Sequence, residues 1–360
     1  MVNSLIVLKK EENETATTSS DAALEFLQPL FIVPEKTKAG YSFADIPLKI
    51  SFKESSVVVY GIPVDITTSF GKGTSGGPET IRLTSARQTE TFILDEKVDI
   101  YDKVKIYDLG DVKIPTQTEG GERKDEEGER KDEDGEKENR QQIGNITRTL
   151  SFLGKTIPKI TSILYEAKKL PVMIGGEHTL SYYQMKALSS EKPLIIHFDA
   201  HRDMKPEYDG MRMCHTTPFY HIINDGYISG KNLIQIGIRQ TDRQENNMAE
   251  KNGVVTFDAW DIHNRIDNLL VYLRRATVDK KIYISFDIDV YDLPYVPCTG
   301  TPEPFGLNPF EVLQIIKSID ISAKLIGLDI VEVALRNGDY REGTMATQTL
   351  FRILSQNYVK

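Results

Sequence analysis

The 360-residue sequence predicts an α/β protein whose parallel sheet is covered by helices on both faces. Three observations carry that reading. From Pro171 onward, wholly apolar runs alternate with amphipathic stretches, as parallel strands alternate with crossover helices. The run VVVYGIPVD at 57–65 is a buried-strand pattern, followed by a Gly-rich loop and by Pro78, placed to open a helix. Two later runs, PLIIHFDAHRD and KIYISFDIDV, end in acidic residues at alternate positions, and sites in such sheets lie beyond the carboxyl ends of strands.

In chain order, the first 25 or so residues are polar, and KKEENETATTSSDAA has no apolar period. Residues 1–30 are therefore expected to form a partly disordered arm and 31–360 a single domain. After the strand at 57–65, TSFGKGTSGGPETIR matches neither the Walker spacing nor G-x-G-x-x-G, which favours a loop over a pocket mouth rather than a phosphate cradle. DLGDV at 108–112 precedes a tandem repeat, GERKDEE, GERKDED, GEKENRQ. That repeat has no apolar a or d position and one Gly per unit, so 119–141 reads as a charged, flexible insertion and not a coiled coil. IGNITRTLSFLGKTIPKITSILYEAKKL then has helical spacing.

Beyond Pro171 come the strand patterns PVMIGG, PLIIHFDA, NLIQIGIR, VVTFDAW, KIYISFDID and KLIGLDIVEV. Between them lie helical patterns around SYYQMKALSS, YHIINDG, NRIDNLLVYLRRA and PFEVLQIIKSI, and a last helix is expected over 344–356.

Composition narrows the partners. Net charge is −9, of which −6 sits in 119–138, and a negative balance argues against nucleic acid as the main partner, because phosphate binding wants clustered Lys and Arg. No apolar stretch approaches the roughly 18–20 residues that span a bilayer, and SLIVL is too short for a signal-peptide core. The sequons at Asn13 and Asn145 therefore carry no weight, and two cysteines build neither a disulfide framework nor a thiolate zinc site. A reducing cytoplasm is the expected compartment.

Asp199, His201 and Asp203, like Asp287 and Asp289, are spaced to share one face of an extended strand. Four carboxylates at the ends of buried strands lose hydration and repel one another, at a cost of several kcal/mol each, unless cations compensate them. With His178 of GGEH they form an oxygen-rich set without thiolate, which favours two Mn²⁺, with Fe²⁺, Co²⁺ or Ni²⁺ as alternatives. Two such ions roughly 3.5 Å apart would acidify a shared water. His215, in CHTTPF, is a candidate proton carrier because imidazole titrates near neutral pH. Glu332, ending KLIGLDIVEV, could accept paired hydrogen bonds from a cation. His197 is assigned by alternation to the face away from the aspartates, as a core residue. His221 and His263 fall in helical or loop stretches and are expected to have no carboxylate neighbours, and Cys214 and Cys298 read as inert thiols on loops.

GGEH, HFDAHRD, SFDIDVYD and CTGTPEPFGL together resemble the ureohydrolases, the arginase and agmatinase superfamily, and agmatinase most of all. The resemblance runs from about Phe31 to the C-terminus, broken by 119–141. It implies a three-layer αβα sandwich around a central eight-stranded parallel sheet, a binuclear manganese site, and hydrolysis of a small guanidino substrate to urea and an amine. Carried over, His178, Asp199, Asp203 and Asp287 hold one metal, and His201, Asp199, Asp287 and Asp289 the other. Asp203 also bonds the bridging hydroxide, His215 shuttles the proton and Glu332 orients the guanidinium. Agmatine, converted to putrescine for polyamine biosynthesis, is the implied substrate, and trimers or hexamers the implied assembly. Arginine or guanidinobutyrate would be favoured if a cation from 204–216, Arg212 above all, reached a substrate carboxylate. Cys214, Thr216 and VEVAL stand where the family usually has Ser, Gly and VEVNP. A non-catalytic scaffold is the contrasting class, and the complete ligand set argues against it.

Overall fold

The computed structural model describes residues 20–45, 50–115, 131–336 and 338–358, with backbone alone for 131–142. The chain opens with α1 (Ser20–Leu27) and β1 (Phe31–Ile32), then β2 (Val57–Ile62), α2 (Gly77–Arg87), β3 (Phe92–Ile93), β4 (Val98–Asp99), α3 (Ile100–Lys103) and β5 (Ile106–Val112). The long α4 (Lys131–Glu166) leads to β6 (Leu170–Gly175), α5 (Thr179–Leu188), β7 (Leu194–Phe198), α6 (Pro218–Asn224), β8 (Leu233–Ile238), α7 (Arg243–Asn252) and β9 (Val255–Asp258). Last come α8 (Ala259–Ala276), β10 (Lys281–Asp287), α9 (Pro309–Ser318), β11 (Lys324–Val331) and α10 (Arg341–Tyr358).

Among the described residues the main sheet runs β1-β5-β2-β6-β11-β10-β7-β8-β9. The eight strands from β5 to β9 in that order pair parallel, as expected. The ninth strand is an addition: Phe31 and Ile32 pair antiparallel with Val112 and Asp111 at one edge. Alternation explains why the strands are apolar throughout. Val57 and Val59 of β2 pack on one face with α2, α8, α9 and α10, while Val58, Tyr60 and Ile62 pack on the other with α1, α4, α5 and α6. On α4, Leu153, Ile157, Ile160 and Leu164 recur at helical spacing and are fully buried, each contributing roughly 1.5–3 kcal/mol.

Two segments differ from expectation. Residues 1–19 lie outside the described residues, but the second part of the anticipated arm is ordered, since Ser20–Leu27 is helical and buries Ala23 and Leu27. Helix α4 begins at Lys131, inside the anticipated insertion. Glu, Lys, Arg and Gln are good helix formers, so a downstream helix extends through such sequence despite the cost of one glycine, about 1 kcal/mol. Residues 116–130 lie outside the described residues. Among the described residues, no helix is long and apolar enough to cross a membrane.

One buried charged group belongs to the fold itself. Arg82 on α2 is fully buried and forks onto Asp108, Nε to Oδ2 at 2.8 Å and Nη2 to Oδ1 at 3.0 Å, while Nη1 meets Asp111 Oδ1 at 2.5 Å. A methyl group in place of the hydrogen at Gly61 would lie 1.9 Å from Asp111 Oδ1, so glycine leaves the room for this triad.

Candidate metal centre and substrate pocket

The ends of β6, β11, β10 and β7, neighbours in the sheet, deliver the ligand-type side chains to one place. After β6 the chain passes so close to Val64 that a Cβ at Gly176 would lie 1.8 Å from its carbonyl oxygen, which explains the second glycine of GGEH. His178 then opens α5. Its ring is oriented from behind: Nε2 lies 3.0 Å from Ser285 Oγ, which donates to Asp329 Oδ1 at 2.8 Å. Nδ1 therefore faces forward, with Asp203 Oδ2 at 2.9 Å and Asp199 Oδ2 and Asp287 Oδ2 each at 3.2 Å. None of these three contacts has hydrogen-bond geometry, and Nδ1 is a buried polar atom without a partner.

The second cluster repeats the pattern. His201 Nδ1 is 3.0 Å from Asp289 Oδ2 and 3.5 Å from Asp199 Oδ1. Asp289 Oδ1 accepts from the Ala200 N–H at 3.0 Å, leaving the buried Oδ2 without a hydrogen bond. Asp199 thus reaches both clusters, one oxygen to each. No lysine or arginine among the described residues pairs with any of the four aspartates. Burial and the nearby Asp199 charge push Asp203 up to about 7, and burial with the charges of Asp289 and Asp199 holds Asp287 well above the usual carboxylate range. Burial opposes a charge on His178, but the three aspartates outweigh it and hold its pKa well above the ordinary value. A divalent ion supplies the same compensation without the proton. One orphaned nitrogen, one orphaned oxygen and four carboxylates with no lysine or arginine partner among the described residues fit two cations.

The expected side-chain alternation is only part of the geometry. β7 ends at Phe198, and Asp203 is brought in by a left-handed backbone turn, φ +52°. Asp289 sits on a short 3-10 helix, Ile288–Val290, beyond β10. His197 corrects the sequence reading outright. It shares the parity of Asp199 and hence its face, and its Nε2 lies 2.8 Å from Asp199 Oδ2. Burial pulls it down to about 4, so it is neutral at pH 7, stacked 3.8 Å from the Phe219 ring.

A cavity of about 350 Å³ opens beside the clusters, lined by His201, Asp203, Asp287, His215 and Glu332 and, further out, by Lys205, Tyr208, Asp242 and Glu245. A larger cleft of about 620 Å³ lies at the other end of the sheet, where Leu170 and Lys324 begin their strands, away from these groups. Glu332 follows β11 in a left-handed conformation, φ +60°. Its Oε1 accepts from the His178 backbone N–H at 2.7 Å, and a Cβ at Gly300 would lie 2.8 Å from Oε2. Burial, with Glu177 and Asp203 nearby, holds Glu332 well above the usual range, so the pocket favours a cationic guest against it. His215 is held through its backbone N–H, which donates to Thr67 Oγ1 at 3.1 Å, and Nε2 lies 3.2 Å from Ser69 Oγ. Nδ1 has no partner, and burial lowers the group to about 4.

Sequence reasoning missed the support for these groups. Thr67 is itself fixed by Glu177, which accepts its N–H and its hydroxyl, each at 2.7 Å. The GGEH motif held that signal, as did the loop expected over a pocket mouth, which supplies Ser69 to the lining. His263 has a carboxylate neighbour after all, Glu311 at 3.0 Å, brought from a distant helix. The loop from Met204 to Thr217 is pinned at several points. Asp209 and Gly210, both at positive φ, form a tight turn between the paired Tyr208 and Met211, and His221 Nε2 reaches the carbonyls of Pro206 and Arg212 at 3.1 and 2.7 Å. Arg212 leaves the pocket: its guanidinium is largely exposed and bonds Asp225 at 2.9 Å. Lys205 does line the pocket, but Asp242 and Glu245 hold its ammonium.

Comparison with known proteins gives the family. The agmatinase of Pyrococcus horikoshii is 30% identical over 306 residues, covering 85% of this chain and 92% of that protein. The agmatinase of Bacillus cereus is 31% identical over 288 residues, covering 79% and 85% respectively. The crystal structure of agmatine ureohydrolase of Thermoplasma volcanium superposes with a TM-score of 0.70 at 25% identity, over 92% of this chain and 97% of that one. The arginase family model matches residues 55–354, and the chain belongs to the arginase family.

Proposed function

We propose that the chain hydrolyses a guanidino compound, agmatine before others, to urea and an amine at a binuclear manganese centre. His178, Asp199, Asp203 and Asp287 would hold one ion, and His201, Asp199, Asp287 and Asp289 the other. The observation that carries this is the pair of orphaned ligand atoms, His178 Nδ1 and Asp289 Oδ2, among four aspartates that no lysine or arginine among the described residues meets. When bound, two such ions neutralise the carboxylates and acidify a water to supply the nucleophile near pH 7. The set is rich in oxygen and lacks sulfur, which suits Mn²⁺ over zinc held by thiolates.

The chain's own groups supply the rest. Glu332, with one oxygen anchored by His178 N–H, offers the other to the planar fork of a guanidinium and turns its carbon toward the aspartates. Asp203, on its left-handed turn at the cavity wall, is placed to hold the proton of the attacking water. His215 is neutral at rest, so it can take up a proton and release it to the departing amine, which leaves as the C–N bond breaks.

The far wall supports an aminoalkyl tail. Arg212 is turned away, and the single lysine lining the cavity among the described residues is shared by two carboxylates, Asp242 and Glu245. Among the described residues, Lys205, Asp242 and Glu245 leave that wall net negative, with no free cation facing an α-carboxylate. Putrescine formation would place the enzyme in polyamine biosynthesis; a cytoplasmic homo-oligomer, trimer or hexamer, is the form proposed on the family resemblance. Lys205 supports a second reading, guanidinobutyrate, whose carboxylate could draw it from Asp242.

Urea release from agmatine, arginine and guanidinobutyrate with Mn²⁺ present tests the proposal. Agmatine is expected to have a kcat/KM at least about tenfold above the others, a factor worth about 1.4 kcal/mol. Preference for arginine or guanidinobutyrate would overturn the tail assignment, and no urea from any of them would overturn the activity.

A further inference from the structure

We infer that Arg202, Gln235 and His197 form a buried relay that fixes which nitrogen of His197 carries the proton and thereby aims Asp199 between the two metal positions. The relay begins with the fork of Arg202. Its Nε donates to Asn246 Oδ1 at 2.8 Å and its Nη1 to Thr256 Oγ1 at 2.9 Å, which ties it to α7 and β9. The same Nη1 donates to Gln235 Oε1 at 2.7 Å. A guanidinium only donates, so this contact identifies the oxygen end of the Gln235 amide. At the other end Nε2 lies 2.9 Å from the carbonyl oxygen of Arg202, which only accepts. Two one-sided partners therefore set the amide without ambiguity.

The consequence passes inward. Gln235 Nε2 must be the donor in its 3.2 Å contact with His197 Nδ1, so Nδ1 accepts and the ring proton sits on Nε2. That N–H points at Asp199 Oδ2, 2.8 Å away. Asp199 Oδ1 meanwhile accepts from the His201 backbone N–H at 2.5 Å. Both carboxylate oxygens thus accept one hydrogen bond each, leaving their remaining lone pairs for the His178 side and the His201 side. His197 cannot itself be a metal ligand in this arrangement, because one nitrogen is protonated and the other takes the amide hydrogen. It is a positioning residue, acting through Asp199, and partners of this kind typically change metal affinity by roughly 10–100-fold.

The inference rests on Asp199 serving both metals, and the test separates the two ideas. The histidine ring ¹⁵N spectrum of the metal-free protein reports the tautomer directly, whether or not the metal reading is right. The ring signals of His197, assigned by their loss in His197→Phe, are expected to place its proton on Nε2, as those of His221 also should because its Nε2 faces two carbonyls. In Gln235→Glu, which has no N–H to give, the His197 proton alone is expected to move to Nδ1. A proton on Nδ1 of His197 in the unsubstituted protein would overturn the relay. Mn²⁺ titration of the chelated protein then separates proton donation from packing. His197→Phe keeps the stack on Phe219 but has no donor, and is expected to weaken Mn²⁺ binding at least about tenfold, with KM for the guanidino substrate within about twofold. His197→Gln places an N–H near the old Nε2 and is expected to stay within about threefold. Unchanged affinity in the Phe variant, or loss in Gln with retention in Phe, would show that the ring merely fills space. Should the Phe variant fail to fold, the Gln235→Glu titration decides, with a loss of at least about tenfold expected and an unchanged affinity overturning the relay. Failure of the unsubstituted protein to bind Mn²⁺ would overturn the metal reading and with it the role of the relay in aiming a ligand.

Discussion

Two groups of buried carboxylates lie in this molecule, and they are handled in opposite ways. At one side of the sheet, Asp108 and Asp111 meet Arg82, whose three nitrogens are all engaged between 2.5 and 3.0 Å. At the centre, Asp199, Asp203, Asp287 and Asp289 meet no arginine or lysine among the described residues, only histidines with a nitrogen to spare. The first cluster has its counter-charge inside the chain, one guanidinium forked over two carboxylates, and holds α2 to β5. The second is open, and an open cluster of like charges is unstable unless something from outside completes it. Burial of charge alone does not mark a functional site; burial without compensation inside the chain does.

The comparison can be broken at several points. The largest effect is expected from Asp199→Ala or Asp287→Ala, which remove a ligand shared by both positions. Urea release should fall by roughly 10³-fold or more, along with Mn²⁺ binding, and retained turnover would sink the binuclear reading. Arg82→Met should act on stability instead. It strands two buried carboxylates and should cost about 3–5 kcal/mol in denaturant unfolding, while turnover per folded molecule stays near normal. Glu332→Gln should lower kcat/KM by roughly 10²-fold without loss of metal, because a neutral amide cannot match the guanidinium's charge. An unaffected kcat/KM would remove Glu332 from the site.

The smallest effect is the sharpest for the contrast. In metal-free protein, Asp287→Asn removes a like charge from the open cluster and should raise unfolding stability by about 1–2 kcal/mol. Asp108→Asn, in the closed cluster, should lower it. Equal signs in the two variants would erase the distinction.

Much of this was legible in the sequence, for physical reasons. Strands buried on both faces must be apolar throughout, so the parallel sheet announced itself, and acidic residues at the ends of such strands have few explanations besides cations. The Arg82 triad was invisible because its members lie at 82, 108 and 111 and only the pairing of β2 with β5 brings them together. Asp203 and Glu332 both line the cavity, yet nothing in the sequence foretells the left-handed backbone that aims each of them. His197 was misplaced by a parity error that the spacing itself contradicts. Its partner Gln235 lies on the next strand, and one-dimensional spacing has no access to such a neighbour. Arg212 looked like a substrate clamp because of its position in the loop, and only the fold reveals Asp225 as its partner.

The most direct test is calorimetric titration of chelated protein with Mn²⁺, followed by thermal unfolding of the loaded and empty forms. The open cluster predicts two ions per chain, a marked rise in unfolding temperature on loading, and loss of both in Asp199→Ala but not in Arg82→Met. One ion per chain, or none, would contradict it.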